Sequence, residues 1–296
     1  MRIETCRICP RQCGVLREAE TGNGFCGMGA NPVVARAALH FWEEPCISGT
    51  RGSGTVFFTG CSLKCIFCQN YQISTQKEVG KSVTVEELCR IFDRLVEQGA
   101  HNINLVNPTH FVPAIARALH KHPLPVPVVY NSGGYETLET LQMLDGLIDI
   151  YLPDFKYIDD ELALRYSGAG NYVAHAQAAI LEMYRQTGPA VLDENGILLR
   201  GTIVRHLILP GNTRNSIAVL GWLAEHLPKG VLVSLMAQYT PCGRASEFPE
   251  INRRVTAREY KKVEEHLFSL GLGGFVQSRK SVGKEFVPPF NLEGVL

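Results

Sequence analysis

The amino-acid sequence predicts an α/β fold in which helices cover a mainly parallel β-sheet. From residue 54 onward, short apolar runs alternate with longer amphipathic segments. The apolar runs are nearly continuous, which is typical of strands buried on both faces of a parallel sheet. Two Thr-x-x-Glu capping boxes, at Thr84 and Thr256, mark the starts of helices. Six such strand–helix units could form either an open, doubly wound sheet or an incomplete barrel.

The predicted elements follow one another in a simple order. Apolar runs place strands at residues 55–59, 101–106, 126–130, 148–152, within 200–209 and at 231–236. Helical periodicity and capping residues place helices at residues 84–98, 113–120, 136–147, after Asp159, from Asn212 or Asn215, and at 256–271. In either architecture, we expect the functional groups at the carboxyl ends of the strands.

Charge and composition argue against several kinds of partner. The 296 residues carry 29 basic and 29 acidic side chains, so no net charge attracts nucleic acid or an anionic membrane. No apolar run approaches the roughly 20 residues that span a bilayer, and residues 1–10 lack the apolar core of a secretion signal. Most of the 10 cysteines fall in two clusters, which indicates metal binding in a reducing compartment. We therefore expect a cytoplasmic protein.

The first cysteine cluster lies in a glycine- and arginine-rich segment, residues 1–52, which we expect to lead into a core domain at residues 53–296. Its thiols are those of Cys6, Cys9, Cys13 and Cys26. Four soft ligands can close a structural zinc site or a [4Fe–4S] cluster. The long gap before Cys26 suits zinc, whereas a second cluster would suit an electron relay, although the spacing departs from the ferredoxin pattern. Thiols that are buried only for packing are the remaining alternative.

The second group of cysteines lies in the loop that follows the first predicted strand, Gly60-Cys61-Ser-Leu-Lys-Cys65-Ile-Phe-Cys68. Its thiolates can converge on one face of a tight loop, and such thiolates are the standard ligands of iron–sulfur clusters. Three ligands would leave one iron of a four-iron cubane open for a substrate or cofactor, whereas fully ligated metals are structural. A zinc knuckle is the alternative, but structural zinc takes four ligands and no obvious fourth ligand adjoins Cys68.

This loop resembles the CxxxCxxC signature of the radical S-adenosylmethionine (SAM) superfamily. The segments that begin at Cys6, Gly52, Asp149 and Val204 are similar to the branch related to pyruvate formate-lyase-activating enzymes. The resemblance covers nearly the whole chain and implies a partial (β/α)6 TIM-like barrel. It also implies a [4Fe–4S] cluster that holds SAM, and a one-electron reductant of flavodoxin or ferredoxin type. SAM would be cleaved to a 5′-deoxyadenosyl radical that abstracts hydrogen from a substrate.

The resemblance also implies contacts between SAM and particular residues. The three cysteines of the loop would ligate the cluster, and Phe67 would pack against adenine. Asn107 and Thr109 stand where many relatives use Gly-Gly-Glu to receive the SAM ammonium group. That contact would therefore fall to backbone carbonyls or to the Thr109 hydroxyl. Asn131 aligns loosely with an acidic residue of the activases, and it too is expected near the cofactor.

Asp154 and Lys156 resemble the Asp-Leu-Lys segment that lies beside the methionyl group of SAM in glycyl-radical activases. Two residues apart on a strand, they point to the same face, so we expect a catalytic pair; an exposed strand-end ion pair is the alternative. Arg205 and His206 are adjacent on the fifth strand, so at most one faces the barrel interior. His206 is the candidate that we retain, together with Gln238 after the sixth strand.

These expectations describe an enzyme that cleaves SAM reductively and uses the product to abstract hydrogen. By analogy with the activases, the hydrogen would come from a glycine of a partner protein. Radical modification of a small molecule or a peptide is the alternative within the same chemistry. A non-catalytic iron–sulfur carrier or sensor is the alternative from another class, because fold and cofactor do not fix a substrate.

Overall fold

The structure is a computed structural model that describes residues 2–76, 79–228, 230–276 and 287–295. Its strands are β1 (Val33–His40), β2 (Ser53–Phe58), β3 (Lys81–Ser82), β4 (Ile103–Val106), β5 (Val128–Ser132), β6 (Ile150–Pro153), β7 (Val191–Leu192), β8 (Leu198–Leu207), β9 (Leu232–Met236) and β10 (Gly273–Val276). Its α-helices are α1 (Pro45–Ser48), α2 (Val85–Glu97), α3 (Val112–Lys121), α4 (Leu138–Gln142), α5 (Asp160–Ser167), α6 (Tyr172–Thr187), α7 (Thr213–His226) and α8 (Ala257–Ser269).

The strands form one sheet in the order β10-β9-β8-β6-β5-β4-β2-β1-β3, with β7 paired to β8. From β2 to β10 the strands along this path pair in parallel. From β2 to β10, the order of the strands in the sheet follows their order in the sequence. The sheet therefore winds in one direction, whereas a doubly wound sheet reverses its strand order. The described strands leave the sheet open between β3 and β10. The predicted α/β fold with a partial barrel is confirmed.

The local signals in the sequence correspond to elements of the structure. The six predicted strands are β2, β4, β5, β6, β8 and β9, with ends shifted by a few residues. The Thr84 hydroxyl accepts a hydrogen bond from the Glu87 amide at 3.1 Å, and the Glu87 carboxylate accepts one from the Thr84 amide at 2.7 Å. The capping box at Thr256 is also present. Helix α4 is shorter than predicted, because turns replace its last part.

Two elements of the expected lead-in belong to the barrel itself. Strand β1 pairs with β2 in antiparallel register, Ala37 opposite Val56. Helix α1 enters the barrel, where Cys46 and Ile47 pack against interior side chains of β5, β6 and β8. The sequence did not predict β1, β3, β7, β10 or α1, and it did not predict α6 as a separate helix. The division of the chain at residue 52 stays a prediction, while residues 33–48 close the amino-terminal end of the barrel.

Strand alternation decides which side chains reach the barrel interior. Tyr130 and Tyr151 point outward into the core beneath α2 and α3. Inward-facing rows run along three neighbouring strands, from Val129 to Asn131, from Leu152 to Asp154, and from Ile203 to Arg205. The apolar member of each row packs in the core around α1, and the polar member follows toward the carboxyl end. The interior is therefore apolar at one end and polar at the other. None of the helices in the described ranges is long and apolar enough to cross a membrane.

Candidate active site

A cavity of about 970 Å³ lies at the carboxyl ends of the strands. The predicted site residues that line it are Cys61, Cys65, Phe67, Cys68, Asn107, Asn131, Asp154, Lys156 and Gln238. They come from the cysteine loop and from the ends of four different strands, which is the usual composition of an active site in a barrel. The structure thus brings most of the predicted residues together around one space.

Each sulfur of the cysteine loop receives a hydrogen bond. The Leu63 amide donates to Cys61 Sγ at 3.3 Å. The Ser74 hydroxyl, from a π-helix at Gln72–Gln76, is 3.4 Å from Cys68 Sγ. The Ser167 hydroxyl, from the last residue of α5, is 2.9 Å from Cys65 Sγ. Such donors stabilise thiolates and tune the potential of a bound cluster.

The chemistry of these three thiols fits an iron–sulfur cluster. Burial raises the pKa of Cys68 to about 12, and it raises the pKa of Cys65 despite the nearby Lys156 ammonium. Three thiolates in such a place therefore need a compensating metal charge. In the described parts of the chain, no group of three or more His, Cys, Asp and Glu side chains could hold a single metal ion. A cubane binds each thiolate to a different iron, so its ligands do not have to meet at one point.

Asp154 is the centre of a charged network on the cavity wall. Its Oδ1 accepts a hydrogen bond from Arg205 Nε at 2.9 Å, and its Oδ2 accepts one from Lys156 Nζ at 2.5 Å. Burial opposes the ionisation of Asp154, but the guanidinium and the ammonium outweigh it and lower its pKa. Burial also opposes the charge of Lys156, yet Asp154 and Cys65 keep its pKa raised. The network is therefore ionised, with each charge held by another.

Helix α6 and helix α7 hold the backbone around this pair. The Tyr172 hydroxyl donates to the Asp154 carbonyl at 2.8 Å and accepts from the Lys156 amide at 2.9 Å. The Asn215 side chain donates to the Lys156 carbonyl at 3.0 Å and accepts from the Ile158 amide at 2.9 Å. Both partners are buried, so they fix Asp154 and Lys156 in a set orientation.

Glu43 is a cavity residue that the sequence did not predict. It follows β1, and its Oε2 lies 3.3 Å from Arg205 Nη1, while its Oε1 accepts from Asn104 at 3.2 Å and from Asn131 at 3.3 Å. Burial raises the pKa of Glu43 to about 7 even though Arg205 opposes this. The signal that could have revealed it is a pair of acidic residues, Glu43-Glu44, that follows β1 after two aromatic residues.

The choice of His206 as a cofactor contact was wrong. Its ring is fully buried on the outer face of β8, where Nδ1 lies 2.7 Å from the Phe155 carbonyl and Nε2 lies 2.8 Å from the Ser216 hydroxyl. Burial lowers its pKa to about 4, so the ring is neutral and connects β8 to α7. Arg205, its neighbour, faces the cavity instead, because adjacent residues of a strand point to opposite faces.

Thr109 also lies outside the cavity. Its hydroxyl is buried and donates to Glu136 Oε1 at 2.7 Å, so Thr109 is part of the buried core beside β4. Asn107 does line the cavity, and its side chain donates to the carbonyl of Gly60, the residue before the cysteine loop. Phe67 lines the cavity in edge contact with Tyr239, at 5.9 Å between ring centroids. Of the Asn107–Thr109 turn, only Asn107 is therefore placed to contact a cofactor.

The N-terminal cysteines form a second group of thiols outside the cavity. Cys6, Cys9 and Cys26 are buried, and Cys13 is partly exposed. Burial raises the pKa of Cys9 to about 12, and the charges of the other three thiols add to this. The Phe25 amide donates to Cys13 Sγ at 3.3 Å. The four-cysteine site stays a prediction.

The buried Arg17 side chain holds the segments of this N-terminal group together. Its Nη1 lies 3.7 Å from Cys6 Sγ, and its Nε donates to the Met28 carbonyl at 3.1 Å. Isolated β-bridges join Arg17 to Ile3 and to Gly22. The segment that carries Cys6 and the segment that carries Cys26 are therefore connected through one cation.

The chain is similar to several known proteins. Residues 55–221 match the family model described as the Radical SAM superfamily. A protein of Methanocaldococcus jannaschii that is described as uncharacterized is 31% identical over 273 residues, which cover 89% of this chain and 74% of that protein. The structure of HydG, a maturase of the [FeFe]-hydrogenase, has a TM-score of 0.51 and 17% identity over 76% of this chain.

The solved structure of methylornithine synthase is also similar, with a TM-score of 0.49 and 16% identity over 82% of this chain. This chain spans 65% of that synthase and 50% of HydG, which is less than two thirds of either. The family match includes the cysteine loop and the strand ends that carry Asn131, Asp154 and Arg205. With the fold, the cavity and the family match in agreement, the chain belongs to the radical SAM superfamily.

Proposed function

We propose that this protein is an enzyme that cleaves SAM reductively and abstracts a hydrogen atom from a substrate. The observation that carries the proposal is that the thiols of the cysteine loop line the same cavity as Asp154, Lys156 and Arg205. Membership of the superfamily implies a [4Fe–4S] cluster and SAM binding. When bound, the cluster supplies the electron that breaks the sulfonium bond. The protein supplies orientation and exclusion of water.

The charged network is suited to the amino-acid end of SAM. Lys156 and Asp154 present an ammonium and a carboxylate on one wall, and the amides of Asn131 and Gln238 add further hydrogen-bonding groups. A zwitterion needs both signs of charge in fixed positions. Tyr172 holds the backbone of the pair, so the two charges do not have to reorganise when a ligand arrives.

The size of the cavity leaves room for more than the cofactor. Ligand sites usually occupy roughly 300–1,000 Å³, and this cavity lies near the upper limit at about 970 Å³. We infer that a substrate group enters beside SAM. A glycine loop of a partner protein is the substrate that the Asp-Phe-Lys resemblance favours, which would make the protein a glycyl-radical activase.

The first experiment tests cleavage of SAM. Anaerobic protein, reconstituted with iron and sulfide, is given dithionite and SAM, and 5′-deoxyadenosine is measured. Cys61→Ala should abolish the product, because an essential ligand is missing. Cys89→Ala is the matched control, since Cys89 is buried in α2 away from the cavity. Product from Cys61→Ala equal to that from Cys89→Ala would contradict the proposal. Redox cycling of the wild type without loss of SAM would favour an electron carrier.

A second experiment tests the glycine substrate. The reaction is run with the protein fraction, and separately with the small-molecule fraction, of host cells fed deuterated glycine. Activase chemistry predicts deuterium in 5′-deoxyadenosine from the protein fraction, together with a glycyl radical doublet in the electron paramagnetic resonance spectrum. Stimulation by the small-molecule fraction alone would instead assign a small-molecule substrate.

A further inference from the structure

The four-cysteine group lies directly against the cysteine loop of the cavity, and one arginine connects them. Arg11 stands between Cys9 and Cys13 in the sequence. Its Nε donates to the carbonyl of Ser62 at 2.8 Å, and its Nη2 donates to the carbonyl of Ser167 at 3.2 Å. Ser62 follows Cys61, and the Ser167 hydroxyl is 2.9 Å from Cys65 Sγ. A single side chain therefore joins the two sets of thiols.

An aromatic ring makes a second connection. Phe25 precedes Cys26, and its ring lies 3.8 Å from the Arg11 guanidinium and 4.4 Å from the Lys64 ammonium, measured to the ring centroid. Lys64 precedes Cys65 in the loop. A ring from the Cys26 segment thus contacts one cation beside the N-terminal cysteines and one cation of the cysteine loop.

The backbones of the two groups also touch. A Cβ atom built on Gly60 would lie only 3.2 Å from the carbonyl oxygen of Cys26 and 2.5 Å from Cγ of Met28. Gly60 directly precedes Cys61. Because glycine has no side chain, the segment that carries Cys26 can approach the loop to van der Waals distance.

We propose that Cys6, Cys9, Cys13 and Cys26 bind a second iron–sulfur cluster, which passes electrons to the cluster held by the loop. This inference rests on the proposed function of the cavity. The contacts carry it, because electron transfer requires short distances between redox centres. A structural zinc ion is redox-inert and would not require these contacts. The buried Arg17 guanidinium beside Cys6 offsets the negative charge that four thiolates give to a cluster.

The transfer is a balanced one-electron chain. A carrier protein of flavodoxin type loses one electron, and the second cluster gains it and changes from the 2+ to the 1+ state. It returns to 2+ when the electron moves to the cluster of the loop, which changes from 2+ to 1+. No bond is made or broken in the relay, and no proton has to move. The electron then serves the cleavage of SAM.

The first test is a count of iron and acid-labile sulfide in the anaerobic protein. The wild type should hold about eight of each, and about four should remain in the Cys61→Ala/Cys65→Ala/Cys68→Ala variant. The remaining cluster of that variant should accept one electron from reduced flavodoxin and give a paramagnetic signal. About four irons together with about one zinc ion in the wild type would overturn the inference, as would a remaining cluster that reduced flavodoxin leaves oxidised.

The second test separates the relay from the chemistry of the cavity. The Cys9→Ala/Cys13→Ala variant should form 5′-deoxyadenosine within about twofold of the wild-type rate when small, freely diffusing dithionite supplies electrons. With reduced flavodoxin its rate should fall at least about tenfold, because the entry route is missing. Equal rates in wild type and variant with flavodoxin would overturn the relay. Absence of product from the wild type with dithionite would instead contradict the proposed function.

If the double variant does not fold, an experiment on the wild type still tests the relay. Wild-type protein with SAM is mixed rapidly with reduced flavodoxin and frozen at successive times. The paramagnetic signal of the second iron–sulfur cluster should appear before methionine, a product of SAM cleavage, accumulates. This signal is identified by its match to the signal of the Cys61→Ala/Cys65→Ala/Cys68→Ala variant. Formation of methionine without any such signal would overturn the relay.

Discussion

Arg205 Nε lies 2.9 Å from Oδ1 of Asp154, where an isolated parallel bridge joins the end of β6 to β8. The same guanidinium donates to Asn131 Oδ1 at 2.5 Å and lies near Glu43. One cation therefore connects β5, β6, β8 and the segment after β1. Removing any member of such a buried set leaves another charge without its partner.

Asp154→Asn should therefore damage both stability and activity. Breaking a buried pair costs about 3–5 kcal/mol, and displacement of Lys156 should slow SAM cleavage on the order of 100-fold. Chemical unfolding and anaerobic 5′-deoxyadenosine assays, normalised to iron content, measure the two effects. Glu247→Gln is the control, because Glu247 pairs with Arg244 at 2.6 Å on the exposed surface. A loss in the control as large as that in Asp154→Asn would contradict a special role for the buried pair.

Arg205→Lys and His206→Gln should affect different properties. Lysine keeps the charge of Arg205 but cannot hydrogen-bond to Asp154, Asn131 and Glu43 together, so activity should fall at least about tenfold.

His206→Gln should lower stability by about 1–3 kcal/mol, since the Phe155 carbonyl and the Ser216 hydroxyl are left imperfectly paired. Its activity per folded protein should stay within about twofold. A raised KM for SAM in His206→Gln at unchanged stability would show that the outward orientation of His206 is wrong.

Glu136 should make stability fall as the pH rises. Burial raises its pKa from 4.5 to about 7, even though the Thr109 and Ser132 hydroxyls stabilise its charge. In the unfolded chain the carboxyl loses its proton near pH 4.5, whereas the folded protein keeps it up to about pH 7. Wild type should therefore lose up to about 3 kcal/mol of stability across that window.

Glu136→Gln removes this dependence, because the amide does not titrate and can still accept from Thr109. Urea unfolding at pH 5, 6, 7 and 8 should show the stability of the wild type falling relative to that of the variant as the pH increases. Other titrating groups are common to both proteins and cancel in the difference. A difference that stays constant with pH would mean that Glu136 is ionised throughout.

Gly60→Ala should cost more stability than its conformation alone explains. Gly60 and Gly99 share a φ of +87°, but a Cβ on Gly60 would meet Met28, His110 and Cys26, whereas nothing lies within 4 Å of one on Gly99. Gly99→Ala should cost about 1 kcal/mol from backbone strain. Gly60→Ala should cost at least about 2 kcal/mol more and reduce iron content, because the two cysteine groups are pushed apart. Thermal unfolding and iron analysis compare the variants, and equal losses would show that the contact is not tight.

The sequence by itself determined the features that depend on neighbouring residues. Apolar runs predict strands because a buried parallel strand is apolar on both faces, and Thr84 predicts a helix start because its hydroxyl and Glu87 satisfy free amides within one turn. The CxxxCxxC loop likewise brings its three thiols together over a few residues. These signals predicted the order of the six strand–helix units and the cysteine loop at the centre of the site. The barrel was implied by the resemblance to a known family.

Only the tertiary structure decided which face of each strand turns inward and which distant segments meet. Alternation puts Arg205 and His206 on opposite faces, but the pairing of β8 with β6 and β9 selects Arg205 for the cavity. Glu43 reaches the site because α1 enters the barrel, and Arg11 reaches Ser62 because the N-terminal segment packs on the loop. Such contacts join residues that are tens to more than a hundred positions apart. They depend on sheet register and core packing, which no local pattern of residues encodes.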